Sequence, residues 1–136
     1  MGHQCKAIVI GCSDFRIQVA IANLALRLGL YGKYDSIIHP GAQKAFVDEE
    51  TRACKLREVA ILVEAHATTE IHIVSHTDCA VYGGSKHFAT LEEEKETYMR
   101  DMDATQQILN EIYPNIEVFF HMLEIQSNEL VVEVKL

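Results

Sequence analysis

The sequence has no apolar stretch long enough to cross a membrane, which takes about 18 uninterrupted residues. Asn23 and Arg27 interrupt the longest candidate, and Glu64 and His66 interrupt the next. The first six residues also lack the apolar run of a signal peptide, and Lys6 stands where a myristoylation site needs Ser or Thr. These absences predict a cytoplasmic protein that does not enter a membrane.

Basic residues are scarce, since 12 Lys and Arg stand against 20 Asp and Glu, for a formal net charge of −8. Such a surface repels a phosphate backbone, so no nucleic acid partner is expected. The four cysteines are too few for a small disulfide scaffold, and we expect them to remain thiols or to bind metal. A phosphatase loop is excluded because Gln18 stands where it needs Arg, and a C-x-x-C redox pair because Phe15 stands where it needs Cys.

What the sequence does contain is the composition of one ordinary globular domain. The chain has 136 residues, of which 49% are hydrophobic and 24% charged. This length fits one domain, and this apolar content is enough to fill a core. We therefore predict a single domain over residues 1–136.

Short apolar runs rich in β-branched residues alternate with segments of helical spacing. Lys6–Gly11 is typical of a strand that is buried on both faces of a parallel sheet. The predicted strands are 6–11, 35–39, 70–75, 116–120 and 130–134, and the predicted helices are 17–28, 47–67 and 91–112. This alternation predicts an α/β domain with a mainly parallel sheet of four to five strands, flanked by helices.

Three residues with metal-binding side chains follow two of these strands. Cys12 comes just after the first strand, and His76 and Cys79 come just after the third. Chemistry in open α/β sheets collects beyond the carboxyl ends of the strands, so we expect the three side chains to meet there. Two thiolates and an imidazole suit Zn²⁺, and three protein ligands leave one tetrahedral position open, as a catalytic zinc requires.

An acidic and a basic residue accompany the first of these ligands. Asp14 and Arg16 follow Cys12 by two and four positions, so the same turn can present both beside the metal. Arg16 would keep Asp14 ionised through a charge-assisted hydrogen bond. Asp14 would then accept the proton of a zinc-bound hydroxide in a hydrogen bond and so orient its oxygen, zinc having lowered the pKa of its water to about 7.

The two segments resemble the motifs of the β-class carbonic anhydrases. Cys12-Ser13-Asp14-Phe15-Arg16 matches their Cys-x-Asp-x-Arg motif, and His76-Thr77-Asp78-Cys79 matches their His-x-x-Cys motif. The similar order of strands and helices extends from about Lys6 to the C-terminus. The resemblance implies the fold of that family, Zn²⁺ on both Cys and the His, and the Asp–Arg pair managing the fourth ligand. It also implies a carbonate dehydratase, a zinc lyase that reversibly hydrates carbon dioxide to bicarbonate, acting as a homodimer or higher homo-oligomer.

Departures from the family pattern leave two alternatives open. Ala80 replaces the Gly that commonly follows the second Cys, and His39-Pro40-Gly41-Ala42 replaces an Arg-Asn-Ala-Gly type segment. Tryptophan is absent, which excludes regulation through a Trp-lined bicarbonate site. The alternatives are hydrolysis of CS₂ or COS on the same scaffold, and a non-catalytic zinc-binding protein.

Other conspicuous residues receive lesser roles. The acidic run at 92–96 predicts a solvated helix start. Two histidines lie near strand-end loops where a proton relay could run, namely His39 and His87. Four residues are candidates for a dry wall around a small substrate, although such residues more often form core: Phe46, Val81, Tyr82 and Phe88. Four others are interpreted as structural: Cys5, Cys54, His66 and His72.

Overall fold

The computed structural model describes residues 3–136, so Met1 and Gly2, which belong to the segment judged to lack a signal peptide, lie outside it. The strands are β1 (Ala7–Gly11), β2 (Tyr34–Ile38), β3 (Glu70–His76), β4 (Glu117–Ile125) and β5 (Val131–Val134). The α-helices are α1 (Gln18–Arg27), α2 (Lys44–Val47), α3 (Glu49–His66) and α4 (Leu91–Ile112), with single 3₁₀ turns at Phe15–Ile17, Ala80–Tyr82 and Ser85–His87.

The strands form one sheet in the order β2-β1-β3-β4-β5. The first four strands are parallel, and β5 runs antiparallel to β4 at the edge. The predicted α/β class with a mainly parallel, helix-flanked sheet is therefore confirmed. All five residues of β1 are buried, as expected for a central strand covered on both faces.

The two faces of the sheet are covered by different helices. Side chains alternate between the faces along a strand. Val9 packs in the same apolar cluster as Leu24 of α1, whereas Ile10 packs in a cluster with Val59 of α3 and Leu109 of α4. Helix α1 therefore lies on one face, and α3 and the C-terminal part of α4 lie on the other.

The strand order reverses beside β1, and this reversal defines where a site can form. The chain leaves β1 toward β2 on one side and later returns to β3 on the other side. Gly11 at the end of β1 pairs with Val74 of β3, so the loops that follow these two strands emerge side by side. A reversal of this kind opens a crevice at the carboxyl ends of the strands.

Two predicted elements differ from the structure by more than one residue at an end. The fourth strand was predicted to end at Phe120, but β4 continues to Ile125 because residues 121–123 pair with β3 and residues 122–125 pair with β5. The second helix was predicted as one element from Val47, but Asp48 is extended and separates the short α2 from α3.

Within residues 3–136, no helix is both long enough and apolar enough to span a membrane.

Candidate metal centre

The loops after β1 and β3 bring the three predicted ligands together. Cys12 directly follows β1, His76 is the last residue of β3, and Cys79 stands just before the 3₁₀ turn Ala80–Tyr82. One ligand atom from each residue lies within 4.8 Å of the other two, and all three side chains are buried. Two sulfurs and one nitrogen at this spacing form a cluster that could hold a metal ion.

The imidazole of His76 has one nitrogen committed and one without a partner. Nδ1 lies 2.6 Å from the carbonyl oxygen of Thr77, to which it donates. Nε2 is buried and has no hydrogen-bond partner among the described residues. A buried polar atom of this kind requires an explanation, and a histidine that donates its other N–H to a carbonyl is the usual second-shell arrangement of a metal ligand. The donor set therefore fits a borderline-soft cation such as Zn²⁺.

Of the two sulfurs, that of Cys12 is the one placed to hold negative charge. The Cys79 thiol, the adjacent His76 imidazole and the backbone N–H of Gly41, which donates to Sγ at 3.3 Å, lower the pKa of Cys12 to about 3. The pKa of Cys79 is raised, because it donates to the Cys12 thiolate and is buried beside it. Burial lowers the pKa of His76, but the adjacent Cys12, the Thr77 carbonyl and Asp14 together raise it by more. A dication between these groups would compensate the charge that two thiolates carry.

Gly41 can make its contact with Cys12 only as glycine. Its φ is +88°, in the left-handed region, and a Cβ there would lie 3.0 Å from Val81 Cγ1 and 3.2 Å from Lys44 Cβ. In the sequence, this segment stands out only as a departure from a family pattern, and no local signal indicates that its backbone N–H donates to Cys12.

Asp14 and Arg16 form a bidentate pair beside the cluster. Arg16 Nη2 lies 2.7 Å from Asp14 Oδ2, and Nε lies 3.1 Å from Oδ1. Asp14 Oδ1 also accepts the backbone N–H of Arg16 at 2.9 Å and so caps the 3₁₀ turn that follows β1. The hydrogen bonds from Arg16 lower the pKa of Asp14 despite partial burial. Asp14 Oδ2 lies 4.0 Å from His76 Nε2, so an ionised carboxylate faces the unpartnered nitrogen.

A second carboxylate, which the sequence analysis did not single out, shares the same guanidinium. Asp78 Oδ2 accepts from Arg16 Nη1 at 2.9 Å, and the carbonyl oxygen of Asp78 accepts from Nη2 at 3.0 Å. The hydrogen bond from the Ser85 N–H, together with Arg16, lowers the pKa of Asp78. Asp78 occupies a variable position of the His-x-x-Cys pattern, so the motif alone gave no reason to assign it a role.

The solvated character predicted for the acidic run at 92–96 is wrong for Glu94. This side chain is only 1% exposed, and its oxygens lie 2.6 Å from the backbone N of Asp78, 2.6 Å from the Tyr98 hydroxyl and 2.8 Å from the Ser85 hydroxyl. The signal was present in the periodicity, because 94 is one turn before Tyr98 on the buried face of α4.

The remaining candidates are distributed around the molecule. Tyr82 and Phe88 pack against the apolar cluster that contains Cys12 and Cys79. Phe46 does not, because it belongs to the cluster on the opposite face of the sheet. His72, which was interpreted as structural, makes a side-chain contact with the neighbouring strand β4, since its Nδ1 lies 2.9 Å from His121 Nε2.

Fold and cluster together define an α/β protein in which cysteine and histidine side chains that could hold a metal ion lie at a reversal of strand order. Residues 2–133 match the sequence profile of the family described as "Putative carbonic anhydrase". This match covers nearly the whole chain, and the chain belongs to that family.

Two rickettsial proteins are similar to this chain. An uncharacterised protein of Rickettsia bellii (strain RML369-C) is 27% identical over 127 residues, which cover 89% of this chain and 77% of the relative. An uncharacterised protein of Rickettsia conorii (strain ATCC VR-613 / Malish 7) is also 27% identical over 127 residues, covering 89% of this chain and 68% of the relative.

Proposed function

We propose that this protein is a zinc enzyme of the β-carbonic-anhydrase type, which reversibly hydrates carbon dioxide to bicarbonate. The observation that carries the proposal is a buried Cys12, His76 and Cys79 cluster with an ionised Asp14 facing the only unpartnered ligand nitrogen among the three residues. A purely structural zinc site normally has four protein ligands and no use for such a carboxylate.

Cys12, His76 and Cys79 would hold the ion. Zinc, when bound, would supply a hydroxide nucleophile at neutral pH by lowering the pKa of a water molecule to about 7. The protein fixes the ligands before the ion arrives, since the N–H of Gly41 orients the Cys12 sulfur and the carbonyl of Thr77 orients the His76 ring.

Asp14 would orient the attacking oxygen. Because Oδ2 lies near His76 Nε2, it can accept a hydrogen bond from the nucleophile and leave an oxygen lone pair directed at carbon dioxide. Arg16 keeps Asp14 ionised and fixes its plane through two parallel hydrogen bonds. Tyr82 and Phe88, which pack near the cysteines, would supply part of a dry wall for an apolar substrate.

The direct test is stopped-flow measurement of CO₂ hydration by the zinc-loaded protein, with zinc content determined on the same sample. We expect hydration well above the buffer rate and proportional to the zinc content. Zinc-loaded protein without hydration activity would contradict the proposal. Sulfide release from COS or CS₂ by such a sample would instead favour a hydrolase on the same scaffold.

We also propose that the protein is a homodimer or higher homo-oligomer that associates through the outer face of α1. Three apolar side chains on or beside this helix are strongly exposed: Phe15 at 85%, Val19 at 74% and Leu26 at 62%. The opposite side of α1 is already buried against the sheet, and a helix that is apolar on both sides is usually covered on both. A second copy of the chain would cover this surface next to Arg16.

Replacing Val19 and Leu26 by Asp should therefore shift the protein from oligomer to monomer. The charges fall on exposed positions, so the fold should be retained. Light scattering coupled to size-exclusion chromatography gives the mass directly. Asn110→Asp introduces an acidic group at an exposed position of α4 instead of α1 and supplies the control, since it should leave the mass unchanged. A wild-type protein that is already monomeric would contradict this proposal.

For the cellular compartment we propose the cytoplasm, where Cys12 and Cys79 would remain thiols able to bind metal. Recovery of the native protein in an oxidising compartment after cell fractionation would contradict this.

A further inference from the structure

We propose that Asp78 and Glu94 are positioning residues that hold the Arg16 guanidinium, and through it the Asp14 carboxylate, in the orientation that catalysis requires. This inference rests on the proposed function for its catalytic consequence, but the contacts that it concerns belong to the chain itself. Neither residue contributes a ligand atom to the cluster of Cys12, His76 and Cys79.

Arg16 is held from two sides, by Asp14 on one and by Asp78 on the other. Nε and Nη2 donate to Asp14, while Nη1 donates to Oδ2 of Asp78 and Nη2 also donates to its carbonyl oxygen. Four of the five guanidinium N–H groups therefore have carboxylate or carbonyl partners. If Asp14 were the only partner, the Arg16 guanidinium and the Asp14 carboxylate could rotate together. Because Asp78 binds the other side of the guanidinium, the plane of the guanidinium is fixed.

The backbone of Asp78 has a conformation that residues other than glycine seldom adopt. Its φ is +58°, in the left-handed region, which is uncommon outside glycine although Asp and Asn tolerate it. Oδ1 accepts from the backbone N of Ser85 at 2.8 Å, which leaves Oδ2 free for Arg16. A strained backbone of this kind persists only where surrounding contacts impose it.

Glu94 of helix α4 supplies contacts that hold the backbone of Asp78 in this conformation. It accepts the backbone N–H of Asp78, and it also binds Ser85, the residue whose backbone holds Asp78 Oδ1. Within residues 3–136, Glu94 has no ion-pair partner, so its burial is supported by donors alone. Burying a carboxylate is costly, and here the buried Glu94 fixes the loop that carries Asp78 and Cys79. Bonds thus run from α4 through Asp78 and Arg16 to Asp14.

Asp78→Asn is the most informative variant, because Asn tolerates the same backbone conformation. Whichever way the amide turns, its NH₂ faces either the guanidinium of Arg16 or the N–H of Ser85, so one of the two contacts is lost. We expect kcat/KM for CO₂ per bound zinc to fall about tenfold, the lower range for second-shell partners of metal sites. Asp103→Asn makes the same change of charge at an exposed position of α4 and should leave kcat/KM unchanged.

A readout independent of activity is rotation of the Arg16 guanidinium, measured by ¹⁵N NMR on the metal-free and zinc-loaded protein. We expect slow rotation in the wild type and severalfold faster rotation in Asp78→Asn, with the thermal midpoint and zinc content near wild type. A role limited to fold stability would instead lower the midpoint and leave rotation slow. Unchanged rotation in Asp78→Asn would overturn the inference.

Glu94 is tested by a pair of substitutions. Glu94→Ala removes the acceptor for the Asp78 N–H, and we expect faster rotation of the Arg16 guanidinium and lower kcat/KM. Glu94→Gln can keep all three hydrogen bonds, because the Ser85 hydroxyl can turn to accept. This variant should therefore have wild-type rotation and wild-type kcat/KM. If Glu94→Ala does not fold, Asp78→Asn still decides the question. If wild-type protein shows no CO₂ hydration, the proposed function fails, while the rotation measurement still tests the positioning contacts.

Discussion

Replacing Cys12 by Ser should remove most of the bound zinc and abolish CO₂ hydration. The Cys79 thiol, the His76 imidazole and the Gly41 N–H lower the pKa of Cys12 to about 3 and so favour a thiolate, whereas a serine hydroxyl stays protonated and binds zinc poorly. We expect the affinity to fall by more than the roughly 10–100-fold that changes to second-shell groups cause. Competition with a chromophoric chelator measures the affinity directly.

The matched control for this variant is Cys54→Ser, which makes the same chemical change at an exposed position of α3. It should bind one zinc per chain with the affinity of the wild type. If Cys12→Ser instead keeps wild-type affinity, Cys12 is not a ligand and the interpretation of the cluster as a zinc site is wrong.

Replacing Asp14 by Asn should abolish most of the catalysis while zinc stays bound, in contrast to Cys12→Ser, which should lose both. Asn keeps the size of the side chain and an acceptor for the backbone N–H of Arg16, so the turn should persist. It places an NH₂ group either against Arg16 or toward the nucleophile, and it cannot accept a proton. We expect kcat/KM for CO₂ to fall at least about 100-fold, as for removal of a positioned acid–base group.

Asp103→Asn again serves as the control for charge, and zinc content must be measured on each sample. Loss of zinc from Asp14→Asn would show that Asp14 acts in metal retention. Full activity in this variant would show that the carboxylate has no role in the reaction.

The sheet and the convergence of the three ligand residues follow from local sequence patterns and one topological rule. The β-branched run of β1 is buried at every position, as its composition predicts. Strands that alternate with helices require parallel pairing, and Cys12 and His76 stand at the carboxyl ends of adjacent strands. Their proximity could therefore be predicted although 64 positions separate them.

The contacts that surround the cluster could not be predicted in this way, because they depend on tertiary placement. The acidic run at 92–96 indicates a solvated surface when it is interpreted locally, and only the loop after β3 explains why Glu94 is buried. The left-handed conformation of Asp78 has no signature in its neighbours. The length of β4 likewise depends on its pairing with β5.

Zinc K-edge X-ray absorption of the wild-type protein tests the central claim most directly, since it reports the number and kind of atoms around the ion. We expect two sulfur ligands at about 2.3 Å and two nitrogen or oxygen ligands at about 2.0–2.1 Å. This shell corresponds to Cys12, Cys79 and His76 with one position left for a ligand from solvent. A shell of three or four sulfurs, or protein that takes up no zinc, would contradict the account.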